Sequence, residues 1–129
     1  MKSILVDTNF LLVPYECKID IVAELLRVIH SPFALLVASG TIDELKSIAG
    51  RTGKRAAAAR FFLQNIEKYK KQINIKTIKS SGKVDMWIIK YAQEKNLCVA
   101  TNDIPLRRKL LALGVPVIAV KGKSKLDFV

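Results

Sequence analysis

The sequence predicts an α/β fold built on a mostly parallel sheet with helices on both faces. Three observations predict it. Short apolar runs without alternation recur, at residues 4–6, 33–38 and 97–100, as in strands buried on both sides. Segments between them carry apolar residues at helical spacing. The two kinds of segment alternate along the chain, the pattern of parallel strands joined through helices.

Each element has a local reason. The first strand, Ile4-Leu5-Val6, stops at Asp7-Thr8-Asn9. Residues 10–13 form a helical turn that Pro14 ends. Asp20 suits the N-cap of a helix carrying Ile21, Val22, Leu25, Leu26 and Ile29, and Ser31-Pro32 breaks it. The second strand is 33–38. Gly40-Thr41 leads into a helix from Ile42 to about Gly50, and 51–53 form a turn. Residues 54–71 make a long helix with four alanines at 56–59 and basic residues at both ends. Ile73, Ile75 and Ile78 among Lys and Thr read as a third strand at a sheet edge. After the loop Ser80-Ser81-Gly82, the stripe of Val84, Trp87, Ile88, Tyr91 and Ala92 predicts a helix over 84–95, with both aromatics in the core. A strand at 97–100, a helix over 103–113 stopped by Gly114, and a strand at 115–120 complete the series. A basic tail, 121–129, follows. No repeat or linker interrupts the chain, which reads as a single domain over 1–129.

Charge narrows the function. Lys and Arg number 22 against 11 Asp and Glu, a formal net charge of +11, which favours a polyanionic partner. No apolar run is long enough to span a bilayer, and the stretch after Lys2 is too short for a signal peptide, so a soluble cytoplasmic protein is expected. Cys17 and Cys98 belong to no CxxC pair, and His30 has no Cys or His at ligand spacing; none is expected to hold a metal.

The acids carry the chemistry. In such folds ligands bind beyond the carboxyl ends of the strands. Asp7 follows the first strand directly, Glu44 is expected in the first turn of the helix after the second, Asp85 in the first turn of the helix after the Ser-Ser-Gly loop, and Asp103 follows the 97–100 strand by three residues. Two carboxylates brought close repel by about 4 kcal/mol at an intermediate dielectric. A hard divalent cation, Mg²⁺ or Mn²⁺, would resolve the repulsion and could activate water against a phosphate. Structural alternatives exist: Thr41-Ile-Asp-Glu44 fits a capping box, Asp103 can cap its helix, and Asp85 can complement a helix dipole. Asp7, at the end of a buried strand, is the hardest to explain that way.

These segments resemble the PIN-domain nucleases. Val6-Asp7-Thr8-Asn9-Phe10-Leu11-Leu12 resembles their opening motif, and Thr41-Ile42-Asp43-Glu44-Leu45 their second. Val84-Asp85 followed by Ala92 resembles the third, Ala100-Thr101-Asn102-Asp103-Ile104-Pro105-Leu106-Arg107 the fourth, and Gly114-Val115-Pro116-Val117-Ile118 the closing strand. The resemblance implies a three-layer α/β/α sandwich and RNA cleavage with Mg²⁺ or Mn²⁺. It implies that Asp7, Glu44, Asp85 and Asp103 bind the metal, supported by Thr8, Asn9 and Thr101. Many relatives have another acid after the third-motif aspartate; Met86 stands there, which weakens the case for a second ion. Two subgroups are similar: nucleases linked to rRNA processing, slightly favoured by the fourth motif and the basic helix after the second, and VapC-type toxins paired with an antitoxin. The corresponding partners are RNA, an antitoxin or ribosome-assembly factor, and a second copy of the chain.

No histidine is placed for general-base work, and no GxxxxGK[ST] stretch suggests ATP use. Phosphate contacts are expected from Arg51, Lys54, Arg55, Arg60, Arg107, Arg108 and Lys109, and from Lys121, Lys123 and Lys125 in the tail. The rival readings are a non-catalytic RNA-binding module on the same fold and a phospho-receiver domain. The receiver resemblance calls for paired acids after the first strand, whereas Asp7 is followed by Thr8.

Overall fold

The computed structural model describes residues 1–129. In chain order the elements are β1 (Lys2–Val6), α1 (Thr8–Glu16), α2 (Ile21–Val28), β2 (Phe33–Ala38), α3 (Ser39–Ala49), α4 (Lys54–Gln72) and β3 (Asn74–Ile78). They continue with α5 (Val84–Lys95), β4 (Cys98–Ala100), α6 (Ile104–Ala112), β5 (Val117–Lys121) and β6 (Lys125–Phe128). One sheet holds all six strands in the order β3-β2-β1-β4-β5-β6, parallel except for β6.

Strand alternation divides the core into two layers. Ile4 and Val6 of β1, with Leu35 and Val37 of β2, join Leu11, Leu25, Leu45 and Phe62 from α1, α2, α3 and α4. Leu5 and Leu36 face the other way and meet Val84, Ile88, Leu106 and Leu110 from α5 and α6. The result is a three-layer α/β/α sandwich. Buried Ala56, Ala58 and Ala59 remove bulk from one face of α4, letting it lie close against α1 and α3. Trp87 and Tyr91 stack at 4.6 Å between ring centres and pack against the second layer, a core role.

Four elements differ from expectation. α1 continues through Pro14 to Glu16; the ring is buried, and the helix tolerates the missing N–H. α3 starts at Ser39, directly after β2, so Thr41 is inside the first turn and not its cap. The ladder of β5 begins at Val117, because Pro116 has no N–H to donate. Residues 121–129 are not a free tail: β6 pairs antiparallel with β5, and its Leu126 is fully buried. α2 secures that strand from outside. Arg27 donates to Leu126 O at 2.7 Å, and Leu126 N–H donates to Glu24 at 2.9 Å.

The strand order reverses between β1 and β4: the chain adds β2 and β3 on one side of β1, then returns to add β4 and β5 on the other. That reversal opens a crevice at the carboxyl edge, where ligands of such sheets bind. No helix is long and apolar enough to cross a membrane.

Candidate active site

Asp7 sits at the crevice. Its backbone N–H still belongs to the sheet, donating to Ala100 O at 3.2 Å. Its side chain caps α1, with Oδ1 accepting from Phe10 N–H at 2.8 Å. Oδ2 accepts from the Thr101 hydroxyl at the end of β4. Thr101 in turn accepts from Asp103 N–H at 3.0 Å, and Asp103 Oδ1 caps α6 through Leu106 N–H at 3.0 Å. Asp7 and Thr101 are 4% and 0% exposed, so this side of the site is a buried, connected network. Burial, with Asp103 and Asp85 adding repulsion, outweighs the hydrogen bonds and pushes the Asp7 carboxyl up to about 6.

Glu44 and Asp85 arrive differently. Glu44 lies in the second turn of α3 and accepts a hydrogen bond from Thr8 Oγ1 at 2.8 Å. The capping box is therefore absent: α3 has no side-chain cap of its own, and Thr41 Oγ1 is buried without a partner. Asp85 is in the first turn of α5 and accepts no hydrogen bond. Partial burial, then repulsion from Asp103 and Glu44, raises its pKa, while Lys109 opposes the rise.

All four acids line one open cleft of about 580 Å³, together with Thr8 and Asn9. A larger cavity of about 720 Å³, between the end of α1 and α4, contains none of them. The cleft's acids and hydroxyls are hard oxygen donors, and no His or Cys lines it, which fits Mg²⁺ or Mn²⁺ over softer ions. No three of the acids form a closed ligand cluster, and Asp7, Asp103 and Glu44 each accept a hydrogen bond from the protein. Several N-termini of helices surround the cleft, and their dipoles offset part of the acids' repulsion.

The basic residues separate. Arg55 and Lys109 line the cleft, and Arg55 is also held by Asn9 Oδ1 at 2.9 Å. Lys54 lines the larger cavity. Arg60 reaches the carbonyls of Ala49 and Arg51 at 2.8 and 3.1 Å, clasping the end of α3. Arg51, Arg107 and Arg108 do not line the cleft. Lys83, which sequence reasoning passed over, does; it directly precedes α5, and its place two residues before Asp85 was the available signal.

A mostly parallel sheet with a carboxylate cleft at its reversal point defines an α/β sandwich suited to binding a cation, and comparison with known proteins makes the class specific. The model of the PIN like domain matches residues 4–123, and the chain belongs to that family. It is 32% identical to ribonuclease VapC4 of Methanocaldococcus jannaschii, over 96% of this chain and 94% of that protein. It is 31% identical to ribonuclease VapC9 of Archaeoglobus fulgidus, over 97% and 87% respectively. Among solved structures, the PIN domain endonuclease Utp24 superposes with a TM-score of 0.74 at 22% identity, covering 98% of this chain and 90% of that one. VapBC-1 from nontypeable Haemophilus influenzae superposes with a TM-score of 0.57 at 17% identity, covering 85% and 93%. These structural likenesses concern the fold.

Proposed function

We propose that the protein is a metal-dependent endoribonuclease acting as a single PIN-like domain in the cytoplasm, with Asp7, Glu44, Asp85 and Asp103 holding Mg²⁺ or Mn²⁺. The observation that carries this reading is the convergence of four acids from four different strand–helix junctions on one cleft. When bound, the cation supplies charge neutralisation at the scissile phosphate and acidifies water. The chain's own groups do the rest. Phe10 N–H and Thr101 fix Asp7, and Thr8 fixes Glu44. Asn9 orients Arg55 at the rim, where Arg55, Lys83 and Lys109 meet an incoming phosphodiester backbone without reading its bases.

Two relatives above 30% identity are both ribonucleases named VapC, which favours a toxin-type nuclease partnered by an antitoxin over an rRNA-processing role. Incubation of the purified protein with RNA in Mg²⁺, in Mn²⁺ and in EDTA tests the reading. Cleavage in either metal and none in EDTA is expected. Undiminished cleavage in excess chelator would overturn the metal chemistry, and RNA binding without cleavage in any metal would establish the binding-module alternative.

A further inference from the structure

Glu44 and Asp85 stand on helices that share no core. α3 packs into one helical layer and α5 into the other, with the sheet between them. Their separation is therefore set where the chain crosses the sheet's carboxyl edge, at the ends of the paired strands β2 and β3. Three contacts fasten that point. Gly40 N–H donates to Ser80 Oγ at 2.9 Å, Ser80 N–H donates to Ser39 Oγ at 2.9 Å, and the two hydroxyls lie 3.3 Å apart. Ser80 thus caps α3 from the far side of the sheet and satisfies an N–H that α3 cannot satisfy itself. The fourth element is an absence of bulk. A Cβ on Gly40 would lie 2.8 Å from Val84 Cγ2 and 3.0 Å from Ser80 Oγ. Val84 is β-branched and buried, so it cannot swing aside.

We propose that Ser39, Gly40 and Ser80 form a positioning latch that sets the distance between Glu44 and Asp85, and through it the cation affinity of the cleft. Glu44 follows Gly40 by four residues, about one turn of α3, and Asp85 directly follows Val84. A shift of the loop against α3 is thus delivered to both acids at short range. Asp85 depends on the latch most, since no hydrogen bond holds its carboxylate. The inference rests on the metal-dependent reading above. It adds that residues outside the cleft tune the ion's hold without touching ion or RNA.

The test uses the full chain and Mn²⁺ alone. Calorimetric titration without RNA compares wild type, Ser80→Ala, Gly40→Ala and the neighbouring Ser81→Ala. Ser81 is exposed and makes no hydrogen bond, so it serves as the control. Ser80→Ala and Gly40→Ala are expected to raise the Mn²⁺ dissociation constant by roughly tenfold, as loss of supporting contacts does at metal sites, and Ser81→Ala to leave it unchanged. RNA cleavage should show the same rise in half-saturating Mn²⁺, with turnover recovering at saturating metal. A purely structural role would instead lower the melting temperature and the active fraction without moving half-saturation. Gly40→Ala keeps the test open if Ser80→Ala folds poorly, because alanine raises helix propensity while it crowds Val84. Wild-type affinity in both latch variants overturns the latch and leaves the site reading standing. No Mn²⁺ binding and no cleavage by wild type overturns both.

Discussion

The two sides of the acid cleft are built on opposite principles. On the side of Asp7, Thr101 and Asp103, the groups are buried or capping, and each is held by at least one backbone N–H or a hydroxyl. On the side of Glu44 and Asp85, the acids reach solvent, Asp85 with partial desolvation of its carboxylate, and they are held by one threonine and by packing between neighbouring elements. The first side fixes geometry at a cost in stability, since a buried carboxylate is pushed toward its neutral form. The second costs little stability and leaves geometry to contacts outside the cleft. Substitutions on the two sides should therefore separate activity from stability in different ways.

Asp7→Asn gives the largest expected effect. Cleavage should fall by more than roughly 100-fold, beyond the range for residues that merely support a metal site. Stability without metal should rise. The folded chain binds the Asp7 proton more tightly than the unfolded chain does, with a pKa near 6 against an ordinary 3.8. The native state is therefore favoured below about pH 4 and loses that advantage as pH climbs through 6, by about 3 kcal/mol in all. Asparagine removes the charge and can keep the cap on Phe10 N–H. Urea denaturation of metal-stripped wild type and variant, from pH 4 to 7.5, reads the difference. A variant less stable than wild type at pH 7, with activity retained, would make Asp7 a structural cap and dissolve the contrast between the two sides.

Glu44→Gln probes the other side. The amide oxygen still accepts from Thr8, so the melting temperature should stay within a degree or two of wild type on the scale of a few tenths of a kcal/mol. Cleavage should fall by about tenfold or more, because a neutral amide replaces a carboxylate on a hard cation. A thermal melt paired with a Mn²⁺-titrated cleavage assay measures both. Cleavage near the wild-type rate would remove Glu44 from the site and make exposed Asp43 the next acid to test.

Thr101→Val tests how the buried side is held together. Its buried hydroxyl joins Asp7 to the Asp103 N–H, so valine leaves Asp7 Oδ2 and the Asp103 N–H each without that protein partner. A loss of about 1–3 kcal/mol is expected. Cleavage should fall by about tenfold as Asp7 loses its orientation. Denaturation and single-turnover cleavage measure the two together. Lost activity at unchanged stability would mean that Thr101 acts at the reaction centre itself.

Legibility in the sequence followed the range of each signal. The four acids were traceable to one edge because uninterrupted apolar runs such as Ile4–Val6 mark strand ends by themselves, and parallel strands end together. The edge position of β3 follows from its isoleucines standing among Lys and Thr, whereas the order of the inner strands comes from the structure alone. What escaped depends on partners far away in sequence. Ser80 reads locally as a loop residue, and only its pairing with Ser39, 41 residues earlier, makes it a cap. Gly40 reads as a break before a helix, yet it lies inside α3, where its missing side chain admits Val84. β6 looks like a charged tail because Leu126 is its one fully buried side chain, while its ladder with β5 and hydrogen bonds to Glu24 and Arg27 of α2 hold it in place. Arg60 reads as one more basic residue for RNA, although its guanidinium is engaged by the end of α3.

The smallest expected effect concerns Thr41, and its sign separates two accounts of α3. As the N-cap of a helix starting at Ile42, Thr41 would lose about 1 kcal/mol on replacement by a residue without a hydroxyl. In the structure α3 starts at Ser39, and Thr41 is fully buried with its hydroxyl unpartnered. A buried polar group without a hydrogen bond costs stability, so an apolar side chain of the same shape removes a penalty and breaks no bond. Valine matches threonine in shape and in its stiffness at χ1, so the helix itself has no reason to object. Thr41→Val should therefore be neutral or stabilising by about 1 kcal/mol, with cleavage and Mn²⁺ affinity unchanged, because Thr41 supports neither side of the cleft. Urea denaturation at pH 7 decides the sign. A loss near 1 kcal/mol would restore the capping box, move the start of α3 to Ile42, and detach Ser39 and Gly40 from the helix that carries Glu44.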